Sequence, residues 1–249
     1  ISLMSLSWKS LRKMNQKSPE SESLVSHLSE LRKRLLSYVI CVAVIFIVSI
    51  PFANQIYNIF STPMSELLVN STMIATEVTS PLLVPIKLNL YLALLISMPY
   101  LFYQAWKYIA PGLYEKETAT LKPILFFAAI LFYMGVLFAY LVVTPLILQF
   151  LVGIAPKNIA VMTDINQFLN FMLKLLLAFG IAFQVPVATY LTIKSGIKTK
   201  DEVKALRPYL IVGFFVVAML LTPPDIFSQL FLALPMWLLF ELGLLFSKK

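Results

Sequence analysis

Long apolar stretches dominate this sequence of 249 residues and limit what it can fold into. A helix needs about 20 mostly apolar residues to cross a membrane, because the hydrocarbon layer is about 30 Å thick and each residue adds about 1.5 Å. Hydrophobic residues make up 59% of the chain and charged residues only 13%, whereas soluble domains carry about 25% charged residues. The composition therefore excludes a water-soluble enzyme and indicates a polytopic helical membrane protein.

Six segments have the hydropathy of membrane-spanning helices. They are predicted at about 35–53, 85–106, 123–149, 168–193, 209–222 and 226–246. The fifth has about 14 residues, or about 21 Å, and only Pro223, Pro224 and Asp225 separate it from the sixth. We therefore expect an all-α membrane domain of six helices over residues 24–249, in which the last two helices form a tight hairpin. Residues 1–23 are expected to form a poorly defined cytoplasmic tail.

Prolines recur inside or at the edges of these segments. They include Pro51, Pro99, Pro145, Pro186 and Pro235. Proline removes a helical hydrogen bond, and membrane helices tolerate that loss where neighbouring helices satisfy the backbone. Repeated kinks either shape an ordinary bundle or together produce a concave surface, and the predicted fold is a kinked, cupped bundle.

The basic residues are distributed unevenly along the chain. They precede the first predicted span, lie between the second and third and between the fourth and fifth, and follow the sixth. The opposite side carries only Lys157 outside the spans. Cytoplasmic loops of membrane proteins are enriched in lysine and arginine, so both termini are expected in the cytoplasm. The net charge of +8 is explained by this topology, and we predict no nucleic-acid partner.

Residues suited to metal binding or catalysis are scarce. The chain has one histidine, His27, and one cysteine, Cys41, so a dedicated His/Cys metal site is not expected. It contains neither an HExxH motif nor a Ser/His pair with both partners inside the membrane. We predict no metal, no cofactor and no enzymatic activity.

The segment before the first span has the pattern of an amphipathic helix. One face carries Leu24, Leu28, Leu31 and Leu35. Off that face, Glu30 and Arg34 have the spacing of a helical ion pair. Such a helix is expected to lie along the cytoplasmic interface before the chain turns into the membrane. From the residues alone, an ordinary basic anchor with a solvated charged face is the alternative.

The polar stretch between the first two spans, residues 54–80, is expected to be an external loop. The acids of the external loops, Glu66, Glu77 and Asp164, are expected to be solvated. Glu241 lies near the cytoplasmic end of the sixth span, and the sequence leaves open whether it faces a polar interior or the surface.

Four segments resemble, in the same order, the TatC family of twin-arginine translocase subunits. They are HLSELRKRLL at 27–36, STMIATEVTSP at 71–81, the predicted loop YQAWKYIAPGLYEKE at 103–117, and LLTPPDIFSQ at 220–229. The resemblance implies a receptor of the cytoplasmic (inner) membrane. Such proteins bind signal peptides with consecutive arginines and, with single-span TatA- and TatB-type partners, export folded proteins by the proton-motive force. It also implies self-association in a multi-copy complex.

The resemblance assigns a signal-peptide site to four residues. Glu30 and Glu117 fall on two acidic positions of the family's site. Tyr108 stands where many relatives carry Phe, and Arg32 belongs to the same motif as Glu30. The alternatives are a loop acid that balances nearby lysines for Glu117, an interfacial anchor for Tyr108, and neutralisation of Glu30 for Arg32.

The physical logic of two acids is independent of the family. Arginine presents a planar fork that matches a carboxylate through two hydrogen bonds, and lysine does not. A charge-assisted hydrogen bond contributes about 1.5–3 kcal/mol when shielded, and an exposed ion pair about 0–1 kcal/mol. The carboxylates are therefore expected in a partly dehydrated pocket at the cytoplasmic surface.

A second predicted site serves partner subunits. By resemblance, Met219, Thr222 and Gln229 match the polar patch at which partners dock. Gln184 lies within the fourth span, where relatives commonly have Glu, and its amide cannot titrate but can bond a partner helix. The alternative for these polar side chains is hydrogen bonding within the chain. Asp225 is expected to cap the sixth span.

A small-solute or ion secondary transporter is the alternative function. It would need polar residues aligned along a path at mid-membrane, often within paired repeats. The chain offers Gln184, Lys174 and Lys87, and no internal repeat is visible. The residues therefore favour the receptor.

Overall fold

The structure is a computed structural model that describes residues 19–67, 73–109, 115–154, 162–222 and 225–247. Five of its helical segments are long and apolar enough to cross a membrane: Leu28–Ser61, Ser80–Ala105, Pro123–Ile154, Ile165–Lys194 and Ile226–Phe246. A further apolar helix, Arg207–Leu221, has 15 residues, a length of about 22 Å. The predicted helical membrane architecture is confirmed, and the count of six spans stays a prediction.

The described residues form ten α-helices and one small parallel sheet. The helices are α1 Pro19–Ser49, α2 Ala53–Leu67, α3 Ser80–Ile109, α4 Glu115–Phe138, α5 Thr144–Ile154, α6 Ile165–Ala182, α7 Val185–Lys194, α8 Lys200–Ala205, α9 Arg207–Leu221 and α10 Ile226–Phe246. Strand β1 is Met73–Ile74 and strand β2 is Thr163–Asp164; Met73 pairs with Thr163 and Ile74 with Asp164. The sheet joins the loop that precedes α3 to the loop that precedes α6.

Three breaks between consecutive helices coincide with prolines. They are a 3-10 turn that contains Pro51, a π-helical turn just before Pro145, and a two-residue turn just before Pro186. Proline is accommodated in the first turn of a helix because its missing N–H has no partner there. Pro99 and Pro235 instead lie inside α3 and α10, which continue past them.

Helix α1 is continuous, so the predicted turn from the interface into the membrane is wrong. It begins at Pro19 and runs unbroken through the predicted amphipathic segment to Ser49. No glycine or internal proline interrupts this sequence, so nothing ends the helix at the membrane boundary. Further along α1, Tyr38 and Val42 pack against Ala93 of α3. The two helices therefore form one rigid pair from the charged segment into the bundle.

Helix α2 lies in the stretch that the sequence predicted to be a loop. Ile56, Tyr57 and Phe60 share one face of this helix and pack against the core. Tyr140, in the π-helical turn, donates a hydrogen bond to the Phe60 carbonyl at 3.1 Å, and the two rings lie 4.9 Å apart. Polar residues elsewhere on the helix lower the mean hydropathy of the segment, so the sequence analysis did not predict a helix there.

The core of the molecule surrounds helix α6. Its fully buried side chains include Leu169, Met172, Leu173, Leu175, Leu176 and Phe179. Helix α4 approaches α6 closely at Gly180, where a Cβ atom would lie 2.6 Å from Cε2 of the buried Phe132. Glycine therefore permits this helix contact, as small residues do between membrane helices.

Asp164 is accessible to solvent, as the sequence predicts, and it also joins the two loops that carry β1 and β2. Its Oδ1 accepts hydrogen bonds from the backbone N–H groups of Asn166 at 3.0 Å and Gln167 at 2.9 Å, which caps α6. Its Oδ2 accepts from the Thr76 hydroxyl at 2.6 Å and the Thr76 N–H at 3.1 Å. These bonds, the Thr76 hydroxyl above all, favour the carboxylate and lower the pKa of Asp164.

Candidate functional site

The predicted acid Glu30 is paired with Arg34, one helical turn later on α1. Arg34 Nε donates a hydrogen bond to Glu30 Oε1 at 3.1 Å, and Arg34 Nη2 donates to the same oxygen. The Glu30 side chain is 39% exposed and the Arg34 side chain 15% exposed. The guanidinium is therefore largely shielded from water while the carboxylate remains accessible. The ion pair predicted from the spacing is confirmed.

Arg34 connects this pair to helix α3. Its Nη1 donates to Gln104 Oε1 at 3.3 Å, and Gln104 Nε2 donates to the Tyr100 hydroxyl at 2.6 Å. The Tyr100 and Ser37 hydroxyls form a 2.6 Å hydrogen bond. We call these five residues, Glu30, Arg34, Ser37, Tyr100 and Gln104, the α1–α3 network. It fixes the face of α1 that carries Glu30 against α3.

The network follows from helical spacing on both elements. On α1, Glu30, Arg34 and Ser37 are separated by four and three residues, so they share one face. On α3, Tyr100 and Gln104 are four residues apart and share a face as well. Sequence reasoning missed Ser37, Tyr100 and Gln104. The available signal was this recurrence of polar groups, at helical spacing, within otherwise apolar helices.

Arg32 does not hold the Glu30 carboxylate, so its alternative role of neutralising Glu30 is wrong. Residues two positions apart on a helix point in different directions. Arg32 is exposed, and among the described residues Arg34 occupies the place of the counter-charge. The role of Arg32 toward a ligand stays a prediction.

Helices α3 and α4 extend into the segment that the sequence predicted to be a cytoplasmic loop. Helix α3 ends at Ile109 and α4 begins at Glu115. Tyr108 is half-buried in the last turn of α3, and it follows Gln104 by four residues, so it continues the polar face of that helix. Glu117 lies in the first turn of α4, and its side chain lies outside the described residues.

Gln184 lies in the turn between α6 and α7. Its Nε2 donates a hydrogen bond to the backbone carbonyl of Ala128 at 3.0 Å. The side chain is half-buried, and Ala128 belongs to α4. The amide therefore joins α4 to the turn that interrupts the fourth predicted span. This is hydrogen bonding within the chain, the alternative that the sequence analysis gave for Gln184.

The three other docking residues lie around the turn between α9 and α10. Met219 is exposed on α9, whereas Thr222 is buried and its hydroxyl donates to the Ala218 carbonyl at 2.9 Å. Gln229 is half-buried in the second turn of α10. Met219 and Gln229 are therefore the members of this set with side-chain surface available to a partner.

Asp225 begins helix α10. Its Oδ2 accepts a hydrogen bond from the Ser228 N–H at 2.7 Å, the contact of an N-terminal cap. The preceding Pro223 and Pro224 lie outside the described residues. At the other end of the same helix, Glu241 accepts a hydrogen bond from Arg207 Nη2 at 2.7 Å. That contact ties the ends of α9 and α10 together and answers the question that the sequence left open for Glu241.

Comparison with known proteins identifies relatives of the whole helical domain. The family model described as "Sec-independent protein translocase protein (TatC)" matches residues 26–235, a range that includes Glu30, Tyr108, Glu117 and the docking residues. The Sec-independent protein translocase protein TatC of Haemophilus influenzae is 48% identical over 230 residues, which cover 92% of this chain and 90% of the relative. The protein of the same name from Escherichia coli K12 is also 48% identical over 230 residues, covering 92% and 89%.

Solved structures agree with the sequence comparison. A crystal structure of the twin arginine translocase receptor TatC superposes with a TM-score of 0.80 at 33% identity and covers 89% of this chain and 97% of that chain. A crystal structure of the TatC receptor in DDM gives a TM-score of 0.82 at 33% identity, with 90% and 100% covered. The arrangement of helices is therefore the one seen in these receptor structures.

Proposed function

This chain belongs to the TatC family of Sec-independent protein translocase proteins, and on that premise we propose that Glu30 and Glu117 bind the paired arginines of a signal peptide. The chain is a component and receptor of the twin-arginine translocase. The comparisons give no support to the alternative of a small-solute or ion transporter.

The observation that carries the proposal is the guanidinium already held by Glu30. Two nitrogens of Arg34 donate to one carboxylate oxygen, so the geometry around this carboxylate suits an arginine side chain. The carboxylate is partly exposed while Arg34 is shielded, which leaves an approach for a second guanidinium from the solvent side. The α1–α3 network holds Glu30 in place and reduces the entropy lost on binding.

The free energies expected for these hydrogen bonds support a preference for arginine over lysine in the signal peptide. A shielded charge-assisted hydrogen bond contributes about 1.5–3 kcal/mol, and a fully exposed pair about 0–1 kcal/mol. Glu30 lies between these limits because its side chain is 39% exposed. One carboxylate therefore gives modest selectivity, and a second carboxylate, that of Glu117, multiplies it. Tyr108, on the same helix face as Gln104, supplies an aromatic ring on which a guanidinium can stack.

The proposed topology has six spans, with both termini in the cytoplasm and the chain in the inner membrane. The uneven distribution of basic residues supports this orientation. The short helix α9 supports a span that thins the bilayer locally, since about 22 Å is less than the hydrocarbon thickness. Folded cargo needs such a weakened zone, because a bundle of about six helices has no pore wide enough for a folded protein.

The proposed partners are TatA- and TatB-type single-span proteins, together with further copies of this chain, and the energy is the proton-motive force. Met219 and Gln229 offer partner contacts at the α9–α10 turn, with Thr222 behind them. Gln184 bonds Ala128, so it takes part in docking through an exchange of that bond. An interhelical hydrogen bond in a membrane contributes about 0.6–2 kcal/mol.

Site-specific crosslinking tests the acid pair. A photoreactive signal peptide with Arg-Arg is added to the wild-type protein and to Glu30→Ala and Glu117→Ala variants. Each variant should lose most of the crosslink, because one guanidinium loses its counter-charge. The matched control is Asp201→Ala, which removes an exposed carboxylate from α8. Wild-type crosslinking in the Glu117→Ala protein would falsify the assignment of that residue.

A further inference from the structure

A cleft of about 540 Å³ opens where helix α7 ends, between the turn that leads to α8 and the end of α10. Its lining includes Tyr190, Ile193, Lys194, Lys198, Lys200 and Ser247. Three of these residues are lysines, and none of the described residues that line the cleft is acidic. The cleft is therefore a concentrated positive site outside the α1–α3 network.

The lysines of the cleft are held by neutral groups. Lys194 Nζ donates to the Tyr190 hydroxyl at 3.1 Å and lies 5.3 Å from the centre of that ring. Lys200 Nζ donates to the Ser247 carbonyl at 2.9 Å. Within the described part of the chain, neither lysine forms a salt bridge, so their positive charges are not compensated there.

The two acids of the neighbouring helix α8 do not line the cleft, and each makes its main contact next to or within that helix. Glu202 accepts a hydrogen bond from the Thr199 N–H at 2.7 Å and completes the cap of α8. Asp201 pairs with Lys204 at 3.4 Å. The hydrogen bond from the Thr199 N–H above all, and to a smaller extent the charge of Lys198, lower the pKa of Glu202, so this carboxylate partly offsets Lys198. No acid belongs to the described lining of the cleft, which therefore stays cationic.

The position of the cleft favours a lipid over a soluble anion. The apolar spans Ile165–Lys194 and Ile226–Phe246 both end at its edge, which is the level of lipid headgroups. Beside the lysines, the apolar side chains of Ile197, Leu245 and Phe246 are exposed. A soluble phosphate ion gains no binding energy from an apolar surface, whereas a phospholipid presents an anionic headgroup beside its acyl chains. Basic pockets at the ends of membrane helices bind such headgroups.

We propose that this cleft binds the phosphate of an anionic phospholipid headgroup, with Lys194, Lys198 and Lys200 as its cationic contacts. The acyl chains lie along the exposed apolar side chains of Ile197, in the α7–α8 turn, and of Leu245 and Phe246, at the end of α10. The bound lipid neutralises the three lysines and fills the gap between the α7–α8 turn and the end of α10.

Binding of fluorescent phosphatidylglycerol to the protein in phosphatidylcholine nanodiscs tests the proposal. The variants are Lys194→Gln, Lys198→Gln, Lys200→Gln and the triple substitution, with Lys204→Gln as control. The control removes the same charge from the same end of the molecule, outside the cleft. Each cleft variant should weaken binding about fivefold, and the triple variant about a hundredfold. The control should change it less than twofold.

Three results would overturn the proposal. Equal losses in the control and the cleft variants would mean that only the general surface charge attracts the lipid. Displacement of the labelled lipid by inorganic phosphate as effectively as by unlabelled phosphatidylglycerol would mean that the site takes soluble phosphate. Lys194→Arg and Lys200→Arg keep the charge and should retain binding. If these arginine variants lose lipid binding although they are as stable as the wild type, the charge-based assignment is wrong.

Discussion

Replacement of Gly180 by alanine tests the close packing of α4 and α6 in the middle of the bundle. The new Cβ would lie 2.6 Å from Cε2 and 2.9 Å from Cζ of Phe132, whereas carbon atoms in contact prefer about 3.5–4.0 Å. The Phe132 ring is fully buried and has Phe102 and Tyr133 at 5.7 Å. It cannot move without displacing these rings, so the two helices must separate.

The expected cost follows from two opposing terms. Overpacking of a tight core costs about 1–3 kcal/mol, while alanine is favoured over glycine in a helix by up to about 1 kcal/mol. Gly213→Ala isolates the second term, because nothing lies within 4 Å of a Cβ at Gly213. Gly180→Ala should therefore lower the free energy of unfolding by about 1–3 kcal/mol relative to Gly213→Ala.

Reversible unfolding in mixed detergent micelles measures this difference. Phe132→Leu removes the clashing ring atoms, so Gly180→Ala should cost less in the Phe132→Leu background than in the wild type. Gln184 lies one turn beyond Gly180 and bonds Ala128, so separation of the helices should also weaken that bond. Equal stability of the Gly180→Ala and Gly213→Ala proteins, or no relief in the double variant, would refute the reasoning.

Three further outcomes can be measured on single variants. The lowered pKa of Asp164 means that its stabilisation is present above the unfolded value near 3.8 and is lost as pH falls through the folded pKa. Acid should therefore destabilise the wild type more than Asp164→Asn in thermal unfolding, and parallel acid profiles would contradict this. Arg34→Lys keeps the charge but cannot bond Glu30 and Gln104 at the same time, so the free energy of unfolding should fall by about 0.5–1.5 kcal/mol. An unchanged free energy of unfolding would show that the α1–α3 network does not stabilise the protein. Gln229→Leu should reduce crosslinking to a TatB-type partner and export of folded cargo together, and normal assembly with normal export would mean that the docking assignment is wrong.

The long helices could be predicted from the sequence because hydropathy and length report directly on a membrane span. Helix α2 could not be predicted in this way. Its core-facing residues, Ile56, Tyr57 and Phe60, alternate with polar residues such as Gln55 and Asn58, so the segment contains no long apolar run. The continuity of α1 was misjudged because its amphipathic segment was expected to lie along the membrane interface, yet α1 contains no glycine or internal proline that would end the helix there.

The candidate site contains local contacts, which could be predicted from the sequence, and contacts between distant segments, which could not. The Glu30–Arg34 pair depends on helical spacing alone and was accessible to the sequence. The sequence shows the polar spacing on each helix, but the continuation through Gln104 and Tyr100 depends on the packing of α1 against α3, which joins residues about 70 positions apart and which neither helix specifies alone. The hydrogen bonds between Thr76 and Asp164 likewise join residues that lie far apart in the sequence, so the sequence alone could not predict them.

The affinity of the purified protein for signal peptides with Arg-Arg and with Lys-Lys tests the central claim most directly. Two carboxylates that each bind a guanidinium predict at least tenfold weaker binding of the Lys-Lys peptide. The ratio of the two dissociation constants should shrink in Glu30→Gln and in Glu117→Gln. Equal affinity for both peptides, or a ratio that neither substitution changes, would contradict the account.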